Sequence, residues 1–429
     1  MSKKRNIAQE MLDFIADSPS AYHVIENARK KLCKQGFQEL KEADAWDIKP
    51  AQGYFVIRNG SSMIAFYVPG NAFQGFHVVA GHSDSPTFKI KENMEMAVEE
   101  KYIRLNTEKY GGMILSTWMD RPLSVAGRIV VSGPKKEPEV RLVNVEKDLL
   151  VIPNLAIHMN RDVNKGYEYN PQTDMLPLMS LGSREDGKDG LLRQVAESAK
   201  VDAENILAHD LFLYVREPGR ILGANQEFVL SPKLDDLQCV YTALTGFLDA
   251  KPKEYANVLA IFDNEEVGSA TMQGADSTFL QDVLMRIAEA QGWGHGEYCR
   301  KIANSFLISA DNAHALHPNH TPKADPTNRP CIGGGIVIKY HGSQRYTTDA
   351  VSAARLKLWC EKAGVPFQIY TNRSDIVGGS TLGNISTAHV SMTSVDIGLP
   401  QLAMHSAVET AGVQDTEAAV KLFRVFYKE

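Results

Sequence analysis

Two adjacent glutamates, Glu265 and Glu266, stand in "DNEEVGS" (263–269), directly behind the apolar run 257–262. Like charges this close repel, and carboxylates at the edge of a core lose hydration. Four other places carry related chemistry. "VVAGHSDSP" holds His82 and Asp84, "LISADNAHA" holds Asp311 and His314, and "LPQLAMHSAVE" holds His405 and Glu409. "SPKLDDL" puts Asp235 and Asp236 at the start of a helical pattern. Singly, each has an ordinary reading. An acid at a helix start is a cap, a histidine at a strand end is hydrogen-bonded structure, and a glutamate pair is a solvated face. Together they are imidazoles and carboxylates, the ligand types of zinc and similar divalent ions.

Charge counting tests that reading. A pair of metal ions about 3.5–4 Å apart clamps a substrate oxygen and activates a water. With Asp235 as a bridge and Glu266 and Asp311 on one ion each, three carboxylates and one hydroxide balance two divalent ions. His82 and His405 then complete the two ends. In an extended segment successive side chains point to opposite sides. Glu265 can therefore stay off the metals, beside the water, and move its proton as a general base. Asp84, two residues after His82, is placed to accept the imidazole's other N–H and fix its tautomer.

Such residues must be gathered by the elements that carry them. From about residue 229 the chain alternates helical and strand patterns: "DDLQCVYTALTGFLDA" and "STFLQDVLMRIAEAQ" read as helices, "NVLAIF" and "SFLISA" as buried strands. "GGIVIKY" and "MTSVDIGLP" add strands, "TDAVSAARLKLWCEKAG" a helix closed by Gly364, and "DTEAAVKLFRVFYKE" a last helix. That alternation predicts an α/β fold, a mixed but mostly parallel sheet with helices on it. Ligands bind such sheets at the carboxyl ends of the strands. Residues 20–34 read as a helix behind a Ser-Pro-Ser start, with the proline in its first turn. "YFVIRNGSSMIAFYVP" reads as a hairpin about Asn59-Gly60. Residues 93–228 change character, with short alternating strands and little helix, and read as a β-rich insertion. The expected organisation is a first catalytic part over 1–92, the insertion over 93–228 and a second catalytic part over 229–429.

Composition narrows the partners. The 429 residues exceed one typical core. A 44% apolar, 23% charged chain with formal net charge −6 has no electrostatic footprint for nucleic acid or an anionic membrane. No apolar run reaches the length of a bilayer span, and the N-terminal stretch reads as an amphipathic helix rather than a signal peptide. Five widely spaced cysteines without a CxxC argue for free thiols and a cytoplasmic setting.

At these residues the chain resembles the aspartyl aminopeptidase family of dinuclear zinc exopeptidases. "GHSDSP", "KLDDL", "FDNEEVGS", "SADNAHALHPN", "KYHGSQRYTTDA", "GGSTLG" and "PQLAMHS" occur in the family's order and spacing, as do "YGGMILSTWMDRPLSVAGR" and "IPNLAIHMNRD". The resemblance covers nearly the whole chain. It implies metal ligands His82, Asp235, Glu266, Asp311 and His405, with Asp235 bridging and Glu265 as base. It implies a zinc exopeptidase-like α/β domain with helices on both faces of its sheet, interrupted by a β-rich dimerisation domain. Dimers would build a tetrahedral dodecamer, and His158 would reach into a neighbouring subunit's site to hold the substrate carbonyl. Two zinc ions, with cobalt or manganese as alternatives, would serve hydrolysis of the N-terminal residue of short peptides. An acidic residue would be preferred, Lys339 supplying the cation, and Gly379, Ser380 and Thr381 in "GGSTLG" would form a loop beneath the substrate. The alternatives are a neutral-residue aminopeptidase of the same family, a deacylase of non-peptide amides and a catalytically silent shell-forming scaffold. Two departures from the family pattern touch fine specificity. Asp236 stands where the family usually has asparagine, and Val408 where an arginine is common.

Overall fold

Runs of buried Val, Ile, Leu and Ala become the strands of a nine-stranded mixed sheet in the computed structural model. The structure describes residues 6–379 and 381–429, without the side chain of Lys135. The strand order is Gln38–Leu40, Gln52–Arg58, Ser62–Val68, Ala256–Phe262, Phe76–His82, Phe306–Ala310, Thr393–Gly398, Ile336–Lys339 and Phe367–Tyr370. The middle strand, Phe76–His82, has parallel neighbours on both sides, Ala256–Phe262 and Phe306–Ala310. All three are buried along their length. Strands covered on both faces need apolar side chains at successive positions, which is why they read as unbroken apolar runs.

Alternate side chains of these strands feed two cores. Val79, Leu259 and Ile308 join one core with helices Ile7–Ala16, Ala21–Lys34, Leu234–Leu248, Ala350–Ala363 and Val413–Phe426. Val78, Val258 and Leu307 join the other with helices Phe279–Ala290 and Leu382–His389. Helices therefore cover both faces, as expected. A five-stranded sheet holds Arg220–Leu222, Phe228–Ser231, Glu409–Gly412, Pro400–Leu402 and Ala313–His314.

Two compact units emerge. One contains Met1–Asp84, Gly219–Met404 and Glu409–Glu429, the other Ser85–Pro218 and His405–Val408. The divisions differ from those expected at 92/93 and 228/229. Strand Thr87–Val98 pairs with Tyr102–Tyr110 on both sides of an irregularity between Ile90 and Glu95, and the second unit already begins at Ser85, before the expected division at 92. Strand Arg220–Leu222 pairs with Phe228–Ser231, which ties residues before 229 to the first unit. The second unit is a six-stranded antiparallel sheet in the order Pro138–Asn144, Leu123–Ser132, Ile206–Val215, Thr87–Val98, Tyr102–Tyr110, Leu178–Leu181. Leu191 and Val195 of its helix Gly190–Ala199 complete its core.

Asn59 and Gly60 turn the expected hairpin at φ 53° and 73°, and Gly364 closes its helix at φ 63°. Pro19 departs from expectation: Ser20 is the N-cap, so the proline lies before the cap and not in the first turn. Helix His295–Ala303 left no apolar period to read, because Ile302 is its one buried residue. No helix among the described residues is long and apolar enough to cross a membrane.

Candidate active site

The three central parallel strands end level. Phe262 pairs with His82, and Ser309 pairs with Ala80 on the other side. His82 closes the middle strand, Asp311 follows one neighbour, and Glu265 and Glu266 follow the other. Asp235 and Asp236, joined by a cis peptide, come from the kinked, non-helical start of the segment Leu234–Leu248. His82 Nε2 lies 3.4 Å from Asp235 Oδ1 and 3.9 Å from Asp311 Oδ1. One donor atom from each of His82, Asp235, Asp236 and Asp311 lies within 4.8 Å of the others, and the same holds for His82, Glu265 and Glu266.

The cluster is short of positive charge. Burial pushes Asp236 and Glu266 well above the usual carboxylate range, and neighbouring carboxylates push the same way. Glu265 is pushed up to about 7, first by burial, with Asp311, Asp84 and Asp235 adding to it against His82. Burial alone would lower His82, yet Asp235, Asp311 and Asp84 hold its pKa well above an ordinary imidazole's. Anionic oxygens and one imidazole so close together suit a hard to borderline divalent cation. The residues therefore fit a metal centre.

Positioning is by buried polar contacts. His82 Nδ1 lies 3.0 Å from the carbonyl oxygen of Asp84, which can only accept, so Nδ1 carries a proton and Nε2 faces the carboxylates. The Asp84 carboxylate is farther, 3.4 Å from Nδ1. It is engaged instead by the backbone amides of Glu265 and Glu266, each at 3.1 Å. Asp84 thus fixes the imidazole through its backbone and clamps the two glutamates through its side chain. Those glutamates lie in a single 3-10 turn, Glu265–Val267, entered at Asn264 (φ 63°) and left at Gly268 (φ 99°). The expected extended segment is absent, and both carboxylates come round to His82. The division of roles does not follow from opposite faces.

Glu409, Gln401 and Asn312 are buried supports to which sequence reasoning gave no role. Glu409 Oε2 accepts from the Asp235 amide at 3.0 Å. The signal was weak: Glu409 was visible in "LPQLAMHSAVE", but nothing local said that it meets a helix start far away in sequence.

The remaining expected residues divide. Lys339 is buried, with Nζ 3.5 Å from Asp311 Oδ2 and 5.5 Å from the Tyr346 ring. Burial opposes its charge, but Asp311, Tyr346 and Asp396 more than offset this and raise its pKa. It is no solvated surface charge. Gly379 is exposed, and Ser380 lies outside the described residues. Thr381 is buried and its hydroxyl donates to Asp396, so the side chain anchors its own segment rather than presenting itself to a substrate. The expected loop 378–383 is shorter than its motif, because helix Leu382–His389 has begun. His314 is exposed. His405 (φ 65°) and Val408 lie in the segment 405–408 of the second unit, where the Ile114 amide donates to the His405 carbonyl at 3.0 Å. Val408 packs on that unit's core, and His158 sits in an exposed turn of the same unit.

The chain is similar to known proteins. Residues 14–427 match the family described as aminopeptidase I zinc metalloprotease (M18). The chain is 49% identical over 432 residues to a probable M18 family aminopeptidase 2 of Clostridium acetobutylicum, covering 100% of both. It is 37% identical to aspartyl aminopeptidase 4 of Saccharomyces cerevisiae, over 99% of this chain and 95% of that one. Among solved structures, the S. cerevisiae mApe1 dodecamer matches with TM-score 0.86 and 27% identity, over 98% of this chain and 96% of that chain.

Proposed function

This chain belongs to the M18 family and is a zinc metalloaminopeptidase, a hydrolase; from that premise we propose that it removes one N-terminal residue from short peptides, with preference for Asp or Glu. The observation that carries the catalytic reading is the convergence of His82, Asp235, Asp311, Glu265 and Glu266 at one end of three parallel strands. His82, Asp235, Glu266, Asp311 and His405 would hold two zinc ions, with cobalt or manganese as alternatives. Bound there, the metals would supply Lewis acidity for the scissile carbonyl and for a water. Glu265 would take the proton of that water on its carboxylate and return it to the leaving amine. The turn held by Asp84 would keep that carboxylate beside His82. His158 of a neighbouring subunit would donate to the carbonyl oxygen as negative charge develops.

The acidic preference is supported by the likeness to the yeast aspartyl aminopeptidase and by Lys339. A cation at Asp311 would leave the nearby Lys339 ammonium without its compensating charge, which favours an anionic substrate side chain. The same ion pair supports a second reading. If Lys339 stays committed to Asp311, neutral residues such as Leu would serve better. Comparing Asp-, Glu- and Leu-p-nitroanilide turnover decides between them: higher kcat/KM for Asp or Glu is expected, and equal or better Leu hydrolysis would defeat the acidic preference.

Assembly through the second unit into dimers and a tetrahedral dodecamer is proposed on the likeness to the mApe1 dodecamer. The exposed Leu155, Ile157 and Met159 around His158 support it. A cytoplasmic setting is supported by five free cysteines, three of them exposed.

A further inference from the structure

We propose that Glu409 is a positioning residue for the metal centre. It sets the direction of a buried hydrogen-bond ring that holds the segments of Asp235 and Asp311 in register. The inference rests on the metal-centre reading above.

Both oxygens of Glu409 meet donors. Oε2 accepts from the Asp235 amide at 3.0 Å, and Oε1 accepts from Gln401 Nε2 at 3.4 Å. With its amide nitrogen turned towards Glu409, Gln401 presents its oxygen onward, and Asn312 Nδ2 donates to it at 2.7 Å. The Asn312 amide nitrogen also lies 3.0 Å from Gln238 Oε1 and 3.2 Å from the Leu234 carbonyl, so its two N–H groups are shared among three acceptors. Its oxygen accepts from the Cys239 thiol at 3.0 Å. The path leaves the chain at the Asp235 N–H and returns to it at Leu234, the residue before. It passes through Asn312, the residue after Asp311. Glu409, Gln401, Asn312 and Gln238 are each no more than 2% exposed.

A carboxylate accepts on both sides, whereas an amide accepts on one and donates on the other. Glu409 is therefore the member that orients all the rest. In Glu409→Gln the shape is kept, but the amide oxygen must stay with the Asp235 N–H, which can only donate. The new amine then faces that of Gln401. Turning Gln401 over moves the conflict to Asn312, and turning Asn312 over releases Leu234. The mismatch ends on a ligand-bearing segment whichever way it is resolved.

The test is titration of the metal-free full-length protein with Co2+, followed by visible d–d absorption, alongside the thermal midpoint of the metal-free state. Glu409→Gln is expected to bind cobalt about 10–100-fold more weakly and with altered bands. Gln401→Met, which leaves the Glu409–Asp235 bond in place, is expected to show a smaller loss. A purely structural role would lower the metal-free midpoint while the folded protein kept wild-type affinity and spectrum, and that result overturns the proposal. Should Glu409→Gln fail to fold, Gln401→Met decides: wild-type affinity there overturns the ring. Absence of cobalt binding by the wild type would be a different failure, removing the metal-centre reading itself.

Discussion

Glu265 and Glu266 share one turn and one clamp and both come close to His82, so the separate roles proposed for them would come from what each touches when the centre is loaded. Two isosteric substitutions separate them. Glu265→Gln should keep metal and lose about 10²–10⁴-fold in kcat, the range of a lost general base. Glu266→Gln should lose metal as well as turnover. Metal content measured beside kcat distinguishes the two. Wild-type turnover in Glu265→Gln would refute the base assignment, and wild-type metal content in Glu266→Gln would refute the ligand. The residue types and their neighbours in sequence were enough to propose this pair. Their geometry was not, because "DNEEVGS" reads equally as an extended strand end and as a turn until Asp84, 181 residues away, is seen to receive both amides.

At the scale of elements, the strands and long helices were legible because burial on two faces or one writes a period into the chain. The short helix Leu382–His389 was not. Its start depends on Asp396 in strand Thr393–Gly398, which accepts from the Thr347 amide at 2.6 Å, from the Thr347 hydroxyl at 2.8 Å and from Thr381. Gly383 lies against that carboxylate, and a Cβ there would stand 2.6 Å from Asp396 Oδ2. Since Asp396 is held on three sides, it has little room to yield. Gly383→Ala should therefore destabilise the protein by about 1–3 kcal/mol, the range for overpacking a filled site. An unchanged thermal midpoint would show that the helix start can shift at little cost.

For the whole molecule, acid stability carries a signature away from the metal centre. His77 is stacked between Tyr255 and Phe426, with ring centroids 3.9 and 4.3 Å away. Burial lowers its pKa to about 4, while its unfolded value is about 6.5. The fold thus prefers the neutral ring. That stability is fully present above about 6.5 and is lost as pH falls towards 4, a change of about 3 kcal/mol at 1.36 kcal/mol per pKa unit. Urea midpoints measured from pH 7 to pH 4 should fall less steeply in His77→Phe than in the wild type, and parallel slopes would contradict this. Assembly has its own test. His158→Phe should lower kcat without altering the metal content of any subunit, and unchanged kcat would count against a site shared between subunits.

By itself the sequence determined the candidate ligand types, the strands that end in them and the β-rich character of the insertion. Apolar period and residue chemistry are local properties, and a family pattern preserves both in order. The tertiary structure alone decided what holds those candidate residues. Asp84 serves the glutamate turn more than the imidazole, Lys339 is buried against Asp311, Thr381 is turned onto Asp396, and Glu409 receives the amide of Asp235. Each is a buried polar contact between segments distant along the chain. Its partner is chosen by the requirement that every buried donor and acceptor be satisfied, which no short stretch of sequence can express.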